Sequence, residues 1–318
     1  MQAQTKDASL ILPAIKDGKA GFVNERGQVL ISFEYDEVLP FNEEMAPMRL
    51  GNLWGFVEKS GTRMVEPRYI RARAPWEGRA AVKEIRGKWG FIDASGTEVV
   101  VPEYDEVHDF SQGLASVNKA GKWGYIDASG KKVVDNRFDE VGDFHDGIAP
   151  VRNAKGWGYI DKSGKMILAQ EYAQAGNFSE GVAPVQSQGN WGFIDPTGKF
   201  TIQPTYQGMH LLHNGLAAFK QGDVWGFLDK TGAVVVKPIY EQAGDFSDGL
   251  APVKQKNRWY YVDGKGDKVV TLPEGVTQAE AFQSGVARVV YHKASCYICK
   301  TGEFVWNPIS GKQEGTGS

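Results

Sequence analysis

Residues 89–122 read WGFIDASGTEVVVPEYDEVHDFSQGLASVNKAGK, and residues 123–156 read WGYIDASGKKVVDNRFDEVGDFHDGIAPVRNAKG. The two stretches match almost slot for slot, which marks the chain as an array of one repeated unit. Trp-Gly recurs at Trp54, Trp89, Trp123, Trp157, Trp191 and Trp225, and Trp259 follows in step with Tyr260 in place of glycine. The spacings are 35 and then 34 five times. Ala20 holds the tryptophan slot one step before Trp54, and Cys296 takes it one 37-residue step after Trp259. The units thus start near Ala20, Trp54, Trp89, Trp123, Trp157, Trp191, Trp225, Trp259 and Cys296, and the array runs over residues 9–308.

The pattern within a unit is that of three short strands. Residues 89–93 form the first. Asp-Ala-Ser-Gly then closes a turn, with Asp93 capping it and Gly96 supplying the positive φ. Residues 97–101 return antiparallel, Pro102 breaks the pairing, and residues 103–113 cross over. Residues 114–117 are the third strand, and 118–121 turn into the next Trp-Gly. In the first strand Trp89 and Phe91 face one side while Gly90 and Ile92 face the other. Both faces carry apolar groups, so neighbouring units must cover both. The glycine after each tryptophan is expected to admit a neighbour's aromatic ring close to the backbone. The terminal units are degenerate, as capping units of an open stack are. The expected fold is therefore all-β, about nine three-stranded antiparallel units in an open superhelical solenoid rather than a closed β-propeller.

This repeat resembles the bacterial WG-repeat family, also called KWG repeats, over almost the whole chain. The resemblance implies a family spread over many bacteria without a common activity.

Composition narrows the function classes. The chain has 318 residues, 42% hydrophobic and 24% charged, which fits a folded protein. A net charge of -3 gives no global field for nucleic acid, and no apolar stretch is long enough to span a membrane as a helix. Residues 1–8 are polar and expected to be disordered, as are residues 309–318, a Gly/Ser/Thr-rich tail. The start carries no signal core, so the expected location is cytoplasmic if the chain is full length, and periplasmic or cell-envelope if a signal peptide was removed. The oligomeric state is not legible.

No nucleophile elbow, phosphate loop or zinc-protease motif occurs, and no cofactor or catalytic residue is expected. The Asp-x-x-Gly aspartates (Asp93, Asp127, Asp161, Asp195, Asp229) read as turn caps rather than calcium ligands. His292, Cys296 and Cys299 resemble a zinc fragment, but in a strand Cys296 and Cys299 point to opposite faces. Cysteine as a small core residue is the simpler reading. The Trp-Gly tryptophans read as core, one per unit.

Two units break the pattern. Six of the twelve arginines lie in the unit from Trp54: Arg63, Arg68, Arg71, Arg73, Arg79 and Arg86. Its crossover replaces acids by Arg68 and Arg71, carries Arg73 beside them, and places Trp76 in a serine slot. Arg71, Arg73, Trp76 and Arg79 are the candidate partner-binding residues, suited to an acidic protein surface. The competing reading is internal, with these arginines paired to flanking acids such as Asp36-Glu37 and Asp105-Glu106. The second break, residues 207–214, offers His210, His213 and apolar groups, either as a contact patch or as local repacking. The function expected is a non-enzymatic scaffold for protein–protein interaction, with an immunity, antitoxin-like or adaptor role. The alternative is an envelope module binding glycan or peptidoglycan through its aromatics.

Overall fold

The computed structural model describes residues 10–309. The segments expected to be disordered, 1–8 and nearly all of 309–318, lie outside the described residues. The described chain is all β. It forms nine separate antiparallel sheets, each built from consecutive strands and ringed about one axis. We number them as blades 1 to 9, spanning residues 11–35, 37–69, 71–104, 106–138, 140–172, 174–206, 208–240, 242–271 and 276–306.

Blade 1 has three strands and the others four. The fourth is a two-residue strand inside the predicted crossover, such as Glu106–Val107, which pairs with Leu114–Lys119. It follows the previous blade's last strand after a single residue, Asp105. Pro102 does not end the return strand, which runs Glu98–Tyr104. The proline sits in a bulge where the partners of Trp89 and Phe91, Tyr104 and Val100, are four residues apart.

That bulge explains the glycine. A Cβ on Gly158 would lie 2.6 Å from the carbonyl oxygen of Leu168, and one on Gly90 would meet the carbonyl of Val100 and the nitrogen of Pro102. The group that approaches is the blade's own bulged backbone, not a neighbour's ring as expected from sequence. Blade 8 makes the point by exception. Tyr260 replaces the glycine there, and it pairs directly with Thr271 on a shorter return strand, without the bulge.

No blade has a core of its own. Trp89, Phe91, Val100 and Tyr104 of blade 3 pack with Val107, Phe110, Ala115, Val117 and Ile126 of blade 4. The same pattern recurs from blade to blade: the Trp/Phe face of one sheet meets the Ala/Ile face of the next. The alanine slot (Ala46, Ala80, Ala115, Ala149, Ala183, Ala217, Ala251) is fully buried in each, and its small side chain lets the sheets approach. An aromatic from the next blade's crossover closes the contact, edge-on in Phe91–Phe110 and Tyr125–Phe144 at 4.9 and 4.8 Å. Polar latches reinforce it: Glu77 accepts from the backbone N–H groups of Gln112 and Gly113, and Gln112 in turn accepts from that of Gly147.

The open solenoid expected from sequence is overturned by the contact between the ends. Leu12, Ala14 and Val23 of blade 1 pack with Val286 and Tyr297 of blade 9, and Phe33 stacks on Trp306 at 5.6 Å. Tyr297 fills the aromatic slot and Val23 the isoleucine slot of an ordinary interface. The array is a closed nine-bladed β-propeller. Degenerate end units are partners for each other rather than polar caps, and closure proceeds by packing without an exchanged strand.

The Asp-x-x-Gly aspartates cap their own turns. Asp161 Oδ1 accepts from the Ser163 backbone N–H (2.9 Å), the Ser163 hydroxyl (2.6 Å) and the Lys165 N–H (3.0 Å). These bonds, the hydroxyl first, hold its carboxyl below the ordinary carboxylate range, and Asp93, Asp127, Asp195 and Asp229 behave alike.

Three outcomes follow from this packing. Trp157, 8% exposed and set in the blade 5–6 interface, should cost about 3–5 kcal/mol when replaced by alanine, measured by denaturant melts. Gly158→Ala forces its Cβ against fixed backbone and should cost about 1–3 kcal/mol. The capped aspartates, with lowered pKa values in the fold, stay ionised to lower pH than in the unfolded chain. Their contribution is complete above the ordinary carboxylate range and is lost as pH falls from that range through their lowered folded values. Asp161→Asn should keep the turn at neutral pH and flatten the acid limb of a stability-against-pH curve.

Candidate functional site

Blade 3 departs from its sisters at its two-residue strand Arg71–Ala72, which pairs with Arg79–Lys83 and sets Arg71 opposite Lys83. Elsewhere this cross-strand pair is a salt bridge or contains a neutral residue, as Glu106 facing Asn118 does. Glu37 faces Arg49, bonded at 3.1 Å, and Glu140 faces and bonds Arg152. Gln174 faces Gln186 and Gln242 faces Lys254. Two cations directly opposite cost roughly 0.2–1 kcal/mol rather than contributing it.

The strand opens onto a cleft of about 530 Å³ between blades 3 and 4, lined by Arg71, Arg73, Lys83 and Trp89 on one side and Glu106, His108 and Trp123 on the other. Arg73 stands over the Trp89 ring at 5.2 Å from its centroid, and Lys83 at 5.7 Å. Arg73 also reaches Asp109 of blade 4 at 3.8 Å. Partial burial pushes the Asp109 carboxyl up, while Arg73 draws it down. His108 packs at a tilt on Trp123, centroids 4.6 Å apart, and lies 3.7 Å from Asp143 of blade 5, repeating the same relay one blade on. Arg71 is exposed, and neither it nor Lys83 has an ion pair or side-chain hydrogen bond among the described residues.

The four residues singled out from sequence do not share one surface. Arg71 and Arg73 reach this cleft. Trp76 pairs with Arg79 across the tight turn at the other end of the blade, where Arg79 lies opposite Asp93. Trp76 is 50% exposed. Two serines in its slot latch blades together, Ser111 donating to the Phe144 carbonyl and Ser179 to that of Leu212; among the described residues the indole has no such bond. The Arg79 guanidinium is bound to the carbonyls of Ala128 (3.1 Å) and Gly78 (3.0 Å).

Internal pairing accounts for some arginines with different acids from those expected. Arg63 meets Glu34 of blade 1 at 3.5 Å, and Arg68 donates to the Tyr69 hydroxyl at 2.8 Å. Asp36 is taken by Lys19 and Asp105 by Lys88. Lys83 and Trp89 escaped the sequence reading because cross-strand register was needed to bring them to Arg71. The 35-residue spacing did carry a signal: the additional residue lengthens the hairpin between Lys83 and Trp89, whose tip presents Ile85 at 75% exposure.

The other candidates resolve by burial. Five of the seven tryptophans in this slot, Trp54, Trp89, Trp123, Trp157 and Trp259, are buried, and Trp191 and Trp225 are half-buried. In the segment 207–214, Met209 and Leu212 belong to the core, so its apolar groups are not exposed. His210 packs at a tilt against Trp225 and bonds Asp245 of blade 8 at 2.8 Å, with His213 4.0 Å from the same carboxylate. Pairing shifts the cysteines by one slot from the sequence alignment. Cys296 opposes Val289 as Gly124 opposes Val117, so it stands in the glycine slot, Ser295 takes the tryptophan slot and Cys299 the aspartate slot. Cys296 is enclosed in the blade 8–9 core, and burial pushes its thiol up to about 11. Among the described residues no three His, Cys, Asp or Glu side chains converge as a metal site requires, and no helix is long and apolar enough to cross a membrane.

Comparison with solved structures finds a eukaryotic initiation factor at a TM-score of 0.70 and 12% identity, over 94% of this chain and 95% of that one. The computationally designed Ika8 protein follows at 0.52 and 12%, over 86% and 98%. Both likenesses concern the fold alone. BamB from Moraxella catarrhalis reaches 0.47 at 14% identity, over 83% and 91%. No curated protein matches the chain significantly. The profile of the WG containing repeat matches seven times, at residues 21–54, 54–89, 89–123, 123–155, 157–191, 191–225 and 225–259. With its Trp-Gly strands placed in register at successive blades, the chain belongs to the WG containing repeat family.

Proposed function

We propose that this protein is a non-enzymatic scaffold that docks a protein partner on blade 3. One observation carries the reading: in a ring whose regular positions are used up by packing and latching, two exposed side chains of a single blade lack the partner that several of their sisters keep. Arg71 replaces the acid of a cross-strand salt bridge, and Trp76 replaces a latching serine. Exposed tryptophan and arginine are the residue types that dominate interface energetics. The cationic side of the blade suits a partner with an acidic surface. A glycan-binding array would repeat exposed aromatics in each unit, whereas the repeated tryptophans are mostly buried. An immunity or adaptor role is one form that such docking takes.

The test is affinity capture from the source organism, followed by binding measurements on single variants. Arg71→Glu and Trp76→Ala, at opposite ends of the blade, should each keep the melting temperature close to that of the parent. At least one should weaken the partner by more than about 2 kcal/mol. Undiminished affinity in both would remove blade 3 as the docking surface.

A further inference from the structure

We infer that the cleft between blades 3 and 4 is an anion site, which takes a doubly charged oxyanion group: a phosphoryl group or two neighbouring carboxylates of an acidic segment. The inference rests on the docking reading and names the chemistry the partner presents. Arg71, Arg73 and Lys83 bring three positive charges to one cleft, and only Glu106 among the lining residues opposes them. The Arg73 guanidinium is shared with Asp109 at 3.8 Å, beyond hydrogen-bond distance, so its donors are not exhausted. Lys83 and Arg73 both lie over Trp89, whose ring fixes their positions while leaving their N–H groups able to donate.

The sister blades supply the physical argument. The cation at the Lys83 position faces an acid in blades 2 and 5, Glu37 for Arg49 and Glu140 for Arg152, and a neutral residue in blades 7 and 8, Gly208 for Lys220 and Gln242 for Lys254. Blade 3 keeps the cation and puts a second one, Arg71, where its sisters place an acid or a neutral residue. An external anion bound between them restores the missing charge. A guanidinium fork beside an ammonium matches a phosphoryl group or paired carboxylates better than a single carboxylate. Trp89 and the tilted Trp123–His108 ring pair wall the site.

The experiment is calorimetric titration of the intact chain at low ionic strength with three probes: inorganic phosphate, a phosphoserine peptide and a glutamate-rich peptide. Binding should weaken at least about tenfold in Arg71→Glu and fall with added salt. The same substitution places a carboxylate opposite Lys83, as in the sister blades, so the variant should melt at or above the parent temperature. Binding of phosphate and the phosphopeptide alone assigns a phosphoryl ligand, and binding of the glutamate-rich peptide assigns carboxylates. Failure of all three probes, or equal binding by a folded Arg71→Glu variant, overturns the site. If the probes fail while Arg71→Glu or Trp76→Ala still abolishes partner capture, docking on blade 3 stands and only the anion site falls. If the probes bind while capture survives both substitutions, the docking reading falls instead.

Discussion

Burial between sheets, rather than within them, is the constraint on which everything else in this molecule depends. A small sheet has two apolar faces and nothing of its own to cover either. Trp157 and Tyr159 are covered by Phe178, Ala183, Val185 and Ile194, all supplied by the next blade. An array held this way leaves two bare faces if it stays open. Closing the ring covers both at once, and blades 1 and 9 do so with Tyr297 against Val23 and Leu12. Leu12 stands where the internal blades carry alanine, so the closing contact has the usual architecture with different side chains.

The second constraint follows from the first. Sheets can approach closely only if each keeps one smooth face, hence the buried alanine slot and the glycine beside each tryptophan. The glycine accommodates a bulge in the return strand, which brings Tyr104 back into register opposite Trp89 after two residues have been looped out. From there the chain needs a single residue to begin the next sheet. Local backbone geometry thus sets the step from blade to blade, and the aspartate-capped turns at the other end of the Trp-Gly strands pin the hairpins that carry it.

Much of this was legible before any coordinates. The period, the Trp-Gly strand, the turn at Asp-x-x-Gly and the need to cover two faces follow from alternation and turn chemistry. Three features were not legible for physical reasons. Closure depends on summed inter-sheet angles, which no residue encodes by itself, and weak terminal repeats look alike whether they cap a stack or meet each other. The two-residue strand is too short to show alternation. Cross-strand partners such as Arg71 and Lys83 are twelve positions apart and meet only through the register of the sheet. The same limit explains the candidate cluster. Arg71 and Trp76 are five residues apart in sequence, yet the tight turn at Trp76–Arg79 sends them to opposite ends of one blade.

A repeat ring offers an unusually clean background for reading function, because each position has its own controls in the sister blades. Glu37–Arg49 and Glu140–Arg152 show what the cross-strand pair does when only structure is at stake. Ser111 and Ser179 do the same for the latch position. Against such controls, an arginine facing a lysine is not a neutral variation. It exchanges an attraction for a repulsion at a site where the fold demonstrably accepts the attractive pair. A ring of nine interfaces, each burying aromatic and aliphatic side chains, tolerates such a local loss because the closed array holds each blade from two sides. Blade 3 can therefore carry unpaired cations and an exposed indole while its Trp89, Phe91 and Ala81 remain fully engaged with blade 4. The stability of the regular positions is what leaves the irregular ones free to face a ligand.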